Sequence, residues 1–256
     1  MAVNNTTKVV LITGAAIRIG RWIAESMASD GWSIALHCNT NNSEAKKVAK
    51  KIRDQGGVAN VFTADLAKES DVESLIPKVI EVMGPLGCLI NNASTFEYDS
   101  TISATRSSWD LHMEVNLRAP FVLAQNFAKS STPNSSGVII NILDQRVWNI
   151  TPHFITYTLS KSGLWILTQS LALDLAPYIR VNAIGPGPVL PNQRQTEDDF
   201  HKQWENTPLK KPVTHEEVVN TVRYIINTPS LTGQMLAIDS GQHLGWSLPI
   251  KSEPNE

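Results

Sequence analysis

Short apolar segments alternate with longer amphipathic segments along almost the whole chain, and this alternation limits the possible folds. Strands that alternate with helices predict a parallel sheet whose two faces are both covered by helices. We therefore predict an α/β fold with a doubly wound parallel sheet. The predicted strands are residues 8–13, 33–38, 58–64, 86–91, 138–143, 179–184 and 235–238, and the predicted helices begin near residue 19 and cover residues 43–55, 70–83, 107–130, 156–176 and 214–227.

Nothing in the sequence divides the chain into separate units. The 256 residues contain no internal repeat or linker, and α/β folds of this length often form one domain, so we predict a single domain over residues 1–256. The polar residues 190–212 lack strong periodicity and form a candidate lid over a cleft. Thr214 and Glu217 predict a capping box at the start of the last helix, and residues 247–256 predict a loosely held tail.

Charge and residue types exclude several classes of function. A net charge of -2 without a basic run argues against binding to nucleic acid or to an anionic membrane. Cys38 and Cys88 fall in predicted buried strands, and we see no secretory leader or membrane-spanning apolar run, so we expect a cytosolic protein with free thiols. The six histidines are scattered, and no metal site is expected.

A turn with glycine at both ends follows the first strand and opens the first helix. Gly14 permits a sharp turn, Gly20 permits close packing, and the helix that starts near Ile19 directs free N–H groups at an anion such as a pyrophosphate. A tight turn without a ligand would explain Gly14 alone. Arg18 replaces the middle glycine of the usual dinucleotide-binding pattern, and its guanidinium suits a cofactor with an extra ribose phosphate, NADPH.

The ends of the second and third predicted strands supply further candidate cofactor contacts. An NAD-binding chain usually carries an acidic residue about twenty positions after the glycine turn, whereas this chain has His37, Asn39 and Thr40. No carboxylate is therefore present there to repel a 2′-phosphate. Asp65 and Leu66, after the third strand, are candidates to hold the adenine, although an Asp at this position is equally a helix cap.

Three titratable residues are predicted to meet in one cleft. Asp144 follows the fifth predicted strand, and the carboxyl ends of parallel strands are where open α/β sheets bind their ligands. Tyr157 and Lys161 are four residues apart and lie on one face of a helix, where an ammonium group favours the phenolate and makes Tyr157 an acid near neutral pH. Taken singly, a Tyr on a helix is usually a packing residue, and a Lys one turn further on is usually a solvated surface residue.

Further motifs follow one another in a specific order. They are TGAAIRIG at residues 13–20, Asn91-Asn92-Ala93-Ser94, Asn116, Tyr157 with Lys161, and Gly185-Pro186-Gly187. With these motifs, over roughly residues 8 to 246, the chain resembles the short-chain dehydrogenases/reductases. The resemblance implies a Rossmann-type fold, a nicotinamide cofactor and a homotetramer.

The resemblance also assigns roles to individual residues. It implies that Tyr157 is the acid/base, that Lys161 binds the nicotinamide ribose and lowers the pKa of Tyr157, and that Asn116 lies in the proton path. The family pattern places a Ser thirteen positions before the Tyr, where this chain has Asp144. Further cofactor contacts are implied for Asn92, Ala93, Ser94, Pro186 and Gly187.

The departures from the general family pattern are themselves similar to one branch of it. Asp144, Arg18 and a Phe96 just after the Asn-Asn-Ala-Ser motif resemble the pteridine reductases and their bacterial dihydromonapterin and dihydrofolate reductase relatives. That resemblance implies that Phe96 stacks on a pterin and that Asp144 delivers a proton together with Tyr157, so that these residues and Arg18 contact the substrate. A flat heteroaromatic ring gains from such stacking, and a ring nitrogen needs an acid.

Two features differ from the eukaryotic pteridine reductases. Thr40 stands where those enzymes carry a basic residue, which leaves Arg18 and short polar groups to hold a 2′-phosphate and predicts a milder preference for NADPH. The segment 190–212 has its own sequence, and its possible substrate contacts are Pro191, Asn192, Arg194 and Phe200.

Three functions remain open from the sequence. The first is a cytosolic NADPH-dependent reductase of a pterin-like ring. The second is a carbonyl reductase for a 3-oxoacyl thioester, a sugar or a small ketone, in which Asp144 replaces Ser without a change of substrate class. The third is a dinucleotide-binding sensor without turnover, which Tyr157, Lys161 and Asn116 argue against because a decayed site has no reason to keep them.

Overall fold

Seven parallel strands form one sheet in the order β3-β2-β1-β4-β5-β6-β7. The structure is a computed structural model, and it describes residues 7–131, 136–191 and 194–245. The predicted tail 247–256 lies outside these residues. The strands are β1 (Val9–Ile12), β2 (Ser33–Cys38), β3 (Ala59–Thr63), β4 (Cys88–Asn91), β5 (Gly137–Ile142), β6 (Ile179–Pro186) and β7 (Met235–Ile238).

Helices cover both faces of this sheet, as the alternating sequence predicts. The helices are α1 (Arg18–Ser29), α2 (Asn42–Asp54), α3 (Glu69–Met83), α4 (Arg106–Met113), α5 (Ala119–Ser130), α6 (Ile155–Asp174), α7 (Glu197–Glu205) and α8 (His215–Asn227). One apolar core joins the sheet to α1, α2 and α8, and a second core joins its other face to α3, α5 and α6. The predicted Rossmann-type, doubly wound fold is confirmed.

The predicted long helix 107–130 is present, but it is not α-helical throughout. It begins as α4, continues through a π-helical turn at Glu114–Arg118, and runs on as α5. Pro120 explains the π-helical turn, because proline lacks an N–H and its ring clashes with the carbonyl group four residues earlier, that of Asn116. Such π-helical turns are frequent at functional sites.

The segment 190–212, named the lid segment below, is also more regular than we predicted. It contains α7, whose N-terminus is a capping box in which Thr196 accepts a hydrogen bond from the Asp199 N–H at 3.1 Å. The predicted capping box of Thr214 and Glu217 is present at α8. Within the described ranges, no helix is long and apolar enough to cross a membrane.

Candidate active site

A cleft of about 860 Å³ opens at the carboxyl ends of the strands, where the strand order reverses between β1 and β4. Parallel strands deliver residues distant in sequence to this one edge of the sheet. Among the described residues, the predicted site residues Asn116, Pro191 and Phe200 do not line the cleft. The others do: Gly14, Arg18, Ile19, Gly20, His37, Asn39, Thr40, Asp65, Leu66, Asn92, Ala93, Ser94, Phe96, Asp144, Tyr157, Lys161, Pro186, Gly187 and Arg194.

The turn after β1 has the geometry of an anion-binding turn. Gly14 has a φ of +64°, and a Cβ atom on Gly20 would lie 2.3 Å from the Gly14 carbonyl oxygen, so both positions require glycine. The Asn92 amide holds the turn by donating to the Gly14 oxygen at 3.1 Å. Ile17 gives α1 no side-chain cap, which leaves the N–H groups of its first turn for an anion.

His37 supports the turn from behind. Its Nδ1 accepts a hydrogen bond from the Gly14 N–H at 3.2 Å, so its Nε2 carries the proton and donates to the Ala64 carbonyl at 3.1 Å. Burial lowers the pKa of His37, which keeps the ring neutral and Nδ1 free to accept. The histidine predicted as a cofactor contact therefore ties the glycine turn to the end of β3.

The two strand ends beside His37 are joined by polar contacts. Asn39 Nδ2 donates to Asp65 Oδ1 at 3.4 Å, and the same carboxylate oxygen accepts from the Ala67 N–H at 3.1 Å. The Lys68 ammonium lies 3.6 Å from Asp65 Oδ2 and offsets its charge. Asn39 and Thr40 are exposed and line the cleft. Their contacts with a 2′-phosphate and that of Asp65 with adenine stay predictions.

The Arg18 guanidinium lies on the lid side of the cleft. It donates to the Pro191 carbonyl at 2.7 Å and to the Leu190 carbonyl at 3.3 Å, and its backbone has a φ of +53°. Arg18 therefore bridges the glycine turn to the first residues of the lid segment. The sequence pattern predicted a phosphate contact but not this bridge, because residue type and spacing do not show which carbonyls lie within reach.

Asp144 and Tyr157 meet directly, as predicted. The Tyr157 hydroxyl donates to Asp144 Oδ2 at 2.9 Å, while Asp144 Oδ1 accepts from the Arg146 N–H at 2.9 Å. The Arg146 guanidinium Nε lies 3.9 Å from Asp144 Oδ2. Asp144 follows β5 and Tyr157 lies in the first turn of α6, so strand end and helix start bring the two groups together.

The predicted lowering of the pKa of Tyr157 is wrong for this arrangement. Burial and then the neighbouring Asp144 carboxylate raise that pKa well above its ordinary value, because both disfavour the phenolate. Lys161 does not offset them, since its Nζ donates to the Ile142 carbonyl at 2.8 Å and lies 5.8 Å from the centre of the Tyr157 ring. Burial lowers the pKa of Lys161 to about 8, against the opposing effect of Asp144.

Asn116 lies behind the cleft, in the π-helical turn. Its Oδ1 accepts from the Thr95 N–H at 2.9 Å, and its Nδ2 donates to the Thr95 carbonyl at 3.0 Å and to Ser160 Oγ at 3.1 Å. Asn116 thus joins the loop after β4 to α6. Its predicted place in the proton path stays a prediction.

Phe96 has an aromatic partner that the sequence analysis missed. The Phe96 and Phe154 rings, named the aromatic pair below, stack with centroids 4.3 Å apart, and the Tyr157 ring meets Phe96 edge-on at 4.6 Å. The guanidiniums of Arg146 and Arg194 each lie within 6 Å of both rings, close enough for cation–π attraction. Phe154 lies three residues before Tyr157, a spacing that could have marked it.

The lid segment reaches this aromatic pair through Arg194. Its guanidinium donates to the Phe96 carbonyl at 2.8 Å and contacts the Glu97 carboxylate at 3.2 Å. Pro191, another predicted contact, faces Arg18 through its carbonyl. Phe200 lies on α7, and Asn192 is outside the described residues.

Comparisons with known proteins agree with this fold. The sequence profile described as short chain dehydrogenase matches residues 8–202. An uncharacterized oxidoreductase of Thermotoga maritima is 30% identical over 91% of this chain and 96% of that protein. The 3-oxoacyl-[acyl-carrier-protein] reductase FabG of Staphylococcus epidermidis is 28% identical over 93% of this chain and 99% of its own length.

A solved structure is more similar still. FolM alternative dihydrofolate reductase 1 from Brucella canis, complexed with NADP, is 44% identical and superposes with a TM-score of 0.92, covering 98% of this chain and 99% of that one. The predicted resemblance to this branch is thereby confirmed. The chain belongs to the short-chain dehydrogenase family and is an NAD(P)-dependent oxidoreductase of that type.

Proposed function

We propose that this protein is a cytosolic NADPH-dependent reductase of a pterin-like ring, such as a dihydropteridine or dihydrofolate. The observation that carries the proposal is the hydrogen bond of 2.9 Å between Tyr157 and Asp144, made beside the Phe96 ring. A carbonyl substrate needs one hydroxyl donor, whereas a ring nitrogen gains from an acid that can be resupplied with a proton. The similarity to FolM, at 44% identity, supports the same substrate class.

The residues of the cleft divide into a cofactor half and a substrate half. The glycine turn and the N-terminus of α1 would hold the pyrophosphate, and Lys161 would hold the nicotinamide ribose. NADPH supplies the hydride when it is bound. The cofactor fits the donors present, because Gly14 and Gly20 leave the backbone open to a phosphate and α1 offers uncapped N–H groups.

In the substrate half, the side chains orient the ring and supply the proton. One face of Phe96 stacks on Phe154, and its other face would stack on the substrate ring beside the Tyr157 hydroxyl. Tyr157 would give its proton to the ring nitrogen, and the phenolate would regain a proton from solvent through the Asp144 carboxyl group that it contacts. Burial and then the Asp144 carboxylate raise the pKa of Tyr157, which keeps the phenol protonated before the reaction.

A screen of NADPH oxidation tests the proposal. Purified protein is assayed against dihydropteridines, dihydrofolate, 3-oxoacyl thioesters, sugars and small ketones under one set of conditions. We expect the highest kcat/KM for a dihydropteridine or dihydrofolate. Turnover of ketones with none of any pterin would reject the proposal.

The second candidate function is carbonyl reduction. The specific observation in its favour is the match over 93% of this chain to a 3-oxoacyl-[acyl-carrier-protein] reductase, although the identity is 28%. Against it, the position at which the general family pattern places a Ser carries Asp144 here, and this carboxylate accepts the hydrogen bond of the Tyr157 hydroxyl. The same screen separates the two functions. Both use the same cofactor, but a pterin reductase reduces a heteroaromatic ring, whereas a carbonyl reductase reduces a carbonyl group.

The preference for NADPH can be measured without any substrate. We expect NADPH to bind more tightly than NADH by on the order of ten-fold, because no carboxylate ends β2 and Arg18 and Asn39 face the cleft. Asn39→Asp places a charge at this position and should reverse the preference, while Arg18→Ala should reduce it. Fluorescence titration with both cofactors measures these affinities, and equal wild-type affinities would contradict the prediction.

We also propose a homotetramer. On the outer face of α6, Leu159, Ile166 and Leu173 recur every seven residues and are 45%, 60% and 83% exposed, so they form an apolar stripe that the described part of the chain leaves uncovered. Light scattering at micromolar concentration should report four chains, and Ile166→Glu should lower the mass. A monomeric wild type would exclude the proposal.

A further inference from the structure

Behind the aromatic pair, three buried side chains on three different elements form a hydrogen-bonded chain. His112 lies on α4, Thr156 on α6 and Asp99 on the loop after β4, and each is at most 1% exposed. His112 Nδ1 is 2.6 Å from Thr156 Oγ1, and the Thr156 hydroxyl donates to the Asp99 carboxylate. This set is named the buried triad below.

The direction of every hydrogen bond in the buried triad is fixed. His112 Nε2 accepts from the Glu97 N–H at 3.1 Å, so the proton of the neutral ring is on Nδ1 and points to Thr156. The Thr156 hydroxyl uses its lone pair for His112 and its proton for Asp99. A second proton on His112, at Nε2, would face the Glu97 N–H and remove the hydrogen bond between these two groups.

Asp99 also closes the N-terminus of α6. Its carbonyl accepts from the Phe154 N–H at 2.8 Å, and its Oδ1 accepts from the Thr156 N–H at 3.2 Å. The helix provides no cap of its own, because the N-cap residue Phe154 has an apolar side chain and a left-handed backbone with a φ of 59°. A carboxylate at this end of α6 is favourable because helix N-termini carry partial positive charge.

We infer that His112, Thr156 and Asp99 are positioning residues that hold the stacking face of Phe96 in register with the Tyr157 acid. The two ends of the buried triad carry this inference. At one end His112 binds the backbone N–H of Glu97, next to Phe96, and at the other end Asp99 binds the backbone N–H of Thr156, next to Tyr157. The inference rests on the proposed function for its activity readout. It adds three residues that do not line the cleft.

The surroundings of His112 favour the neutral form that the buried triad needs. Burial lowers the pKa of His112, and the negative charges of Asp99 and Glu97 on the loop after β4 oppose this effect. From α6, the uncharged Tyr157 ring faces it edge-on at 6.0 Å. The ring is thus expected to stay neutral at pH 7.

Two threonines on either side of Tyr157 provide a matched test. Thr156→Val removes the hydroxyl of the buried triad without a change in shape, and Thr156→Ser restores it. Thr158→Val is the control, because Thr158 is also buried and its hydroxyl has no hydrogen-bond partner among the described residues. All variants are compared with the wild type in their thermal unfolding.

Thr156→Val is expected to lower kcat/KM for the best substrate of the screen by about 10- to 100-fold, as a displacement near 1 Å from a productive geometry does. Both kcat and KM should change, while the dissociation constant of NADPH stays within about two-fold, because the cofactor half is not touched. Thr156→Ser and Thr158→Val should retain wild-type kcat/KM. Equal losses in Thr156→Val and Thr158→Val, or a loss of NADPH binding, would overturn the inference.

A second measurement needs no substrate. Nitrogen-15 NMR of His112 in the wild type should report a neutral ring protonated on Nδ1, and Thr156→Val should shift the Nδ1 resonance while Thr158→Val leaves it unchanged. A ring protonated on Nε2 in the wild type overturns the inference whatever the activity. Inactivity of the wild type on every pterin overturns the proposed function instead, so the two failures are distinguishable.

Discussion

Replacing Tyr157 with phenylalanine is expected to lower turnover by about two orders of magnitude or more, the usual contribution of a general acid. The substitution keeps the ring that meets Phe96 edge-on and removes only the hydroxyl that donates to Asp144. The dissociation constant of NADPH should hardly change. Steady-state kinetics with the best substrate of the screen, together with cofactor titration, measure both quantities.

Tyr98 offers a matched control for this change. Its ring also packs against the aromatic pair, because it meets the Phe154 ring edge-on at 5.2 Å. Its hydroxyl, however, faces His153 rather than Asp144. Tyr98→Phe should therefore keep turnover within about two-fold of the wild type. Near-normal turnover in Tyr157→Phe, or equal losses in both variants, would show that another group supplies the proton.

Asp144→Ser is expected to change the substrate class. It restores the family's usual residue, so activity on dihydropteridines should fall by at least about ten-fold while activity on small ketones rises. Asp144→Asn is the matched control, because its amide keeps the size of the carboxyl group and can still accept from Tyr157 but cannot return a proton. If both variants keep the activity on pterins, Asp144 does not relay a proton.

The pH dependence of kcat gives Asp144 a second, independent test. Lys161 has a pKa of about 8, and its cation is lost as the pH rises through that value, so turnover should decline on the alkaline side. The Asp144 carboxylate raises the pKa of Lys161, and its removal should therefore move the decline to lower pH in both variants. If kcat declines at the same alkaline pH in the wild type, Asp144→Ser and Asp144→Asn, Asp144 does not affect the pKa of Lys161.

The order of elements could be predicted from the sequence because each strand is a short apolar run between amphipathic segments. The π-helical turn between α4 and α5 was missed, although Pro120 marks it, because an apolar pattern continues across the turn. Helix α7 was missed since its first turn is acidic and it buries no residue, which leaves little periodicity to detect. Pro120 marks the π-helical turn, and the capping box of Thr196 marks the start of α7, more clearly than the apolar periodicity does.

The sequence predicted most of the residues that line the candidate site, but it did not predict all of the contacts between them. The spacing of Asp144, Tyr157 and Lys161 was sufficient, because a strand end and a helix start have fixed geometry. The direction of the pKa shift of Tyr157 was not predictable, since it depends on burial and on Lys161 turning toward the Ile142 carbonyl. Phe154 was overlooked because a lone phenylalanine before a helix is usually a packing residue, and its spacing of three residues from Tyr157 was the one signal that marked it.

The strand order also determines when the cleft can form during folding. β1, β2 and β3 pair in the order in which they are synthesised, but the other edge of β1 waits for β4, where Val10 pairs with Cys88. Such non-local pairing is slow, and until then β1 exposes an unpaired edge. Because the cleft opens between β1 and β4, a nascent chain that ends before β4 carries the glycine turn yet has no cleft in which to hold a nucleotide.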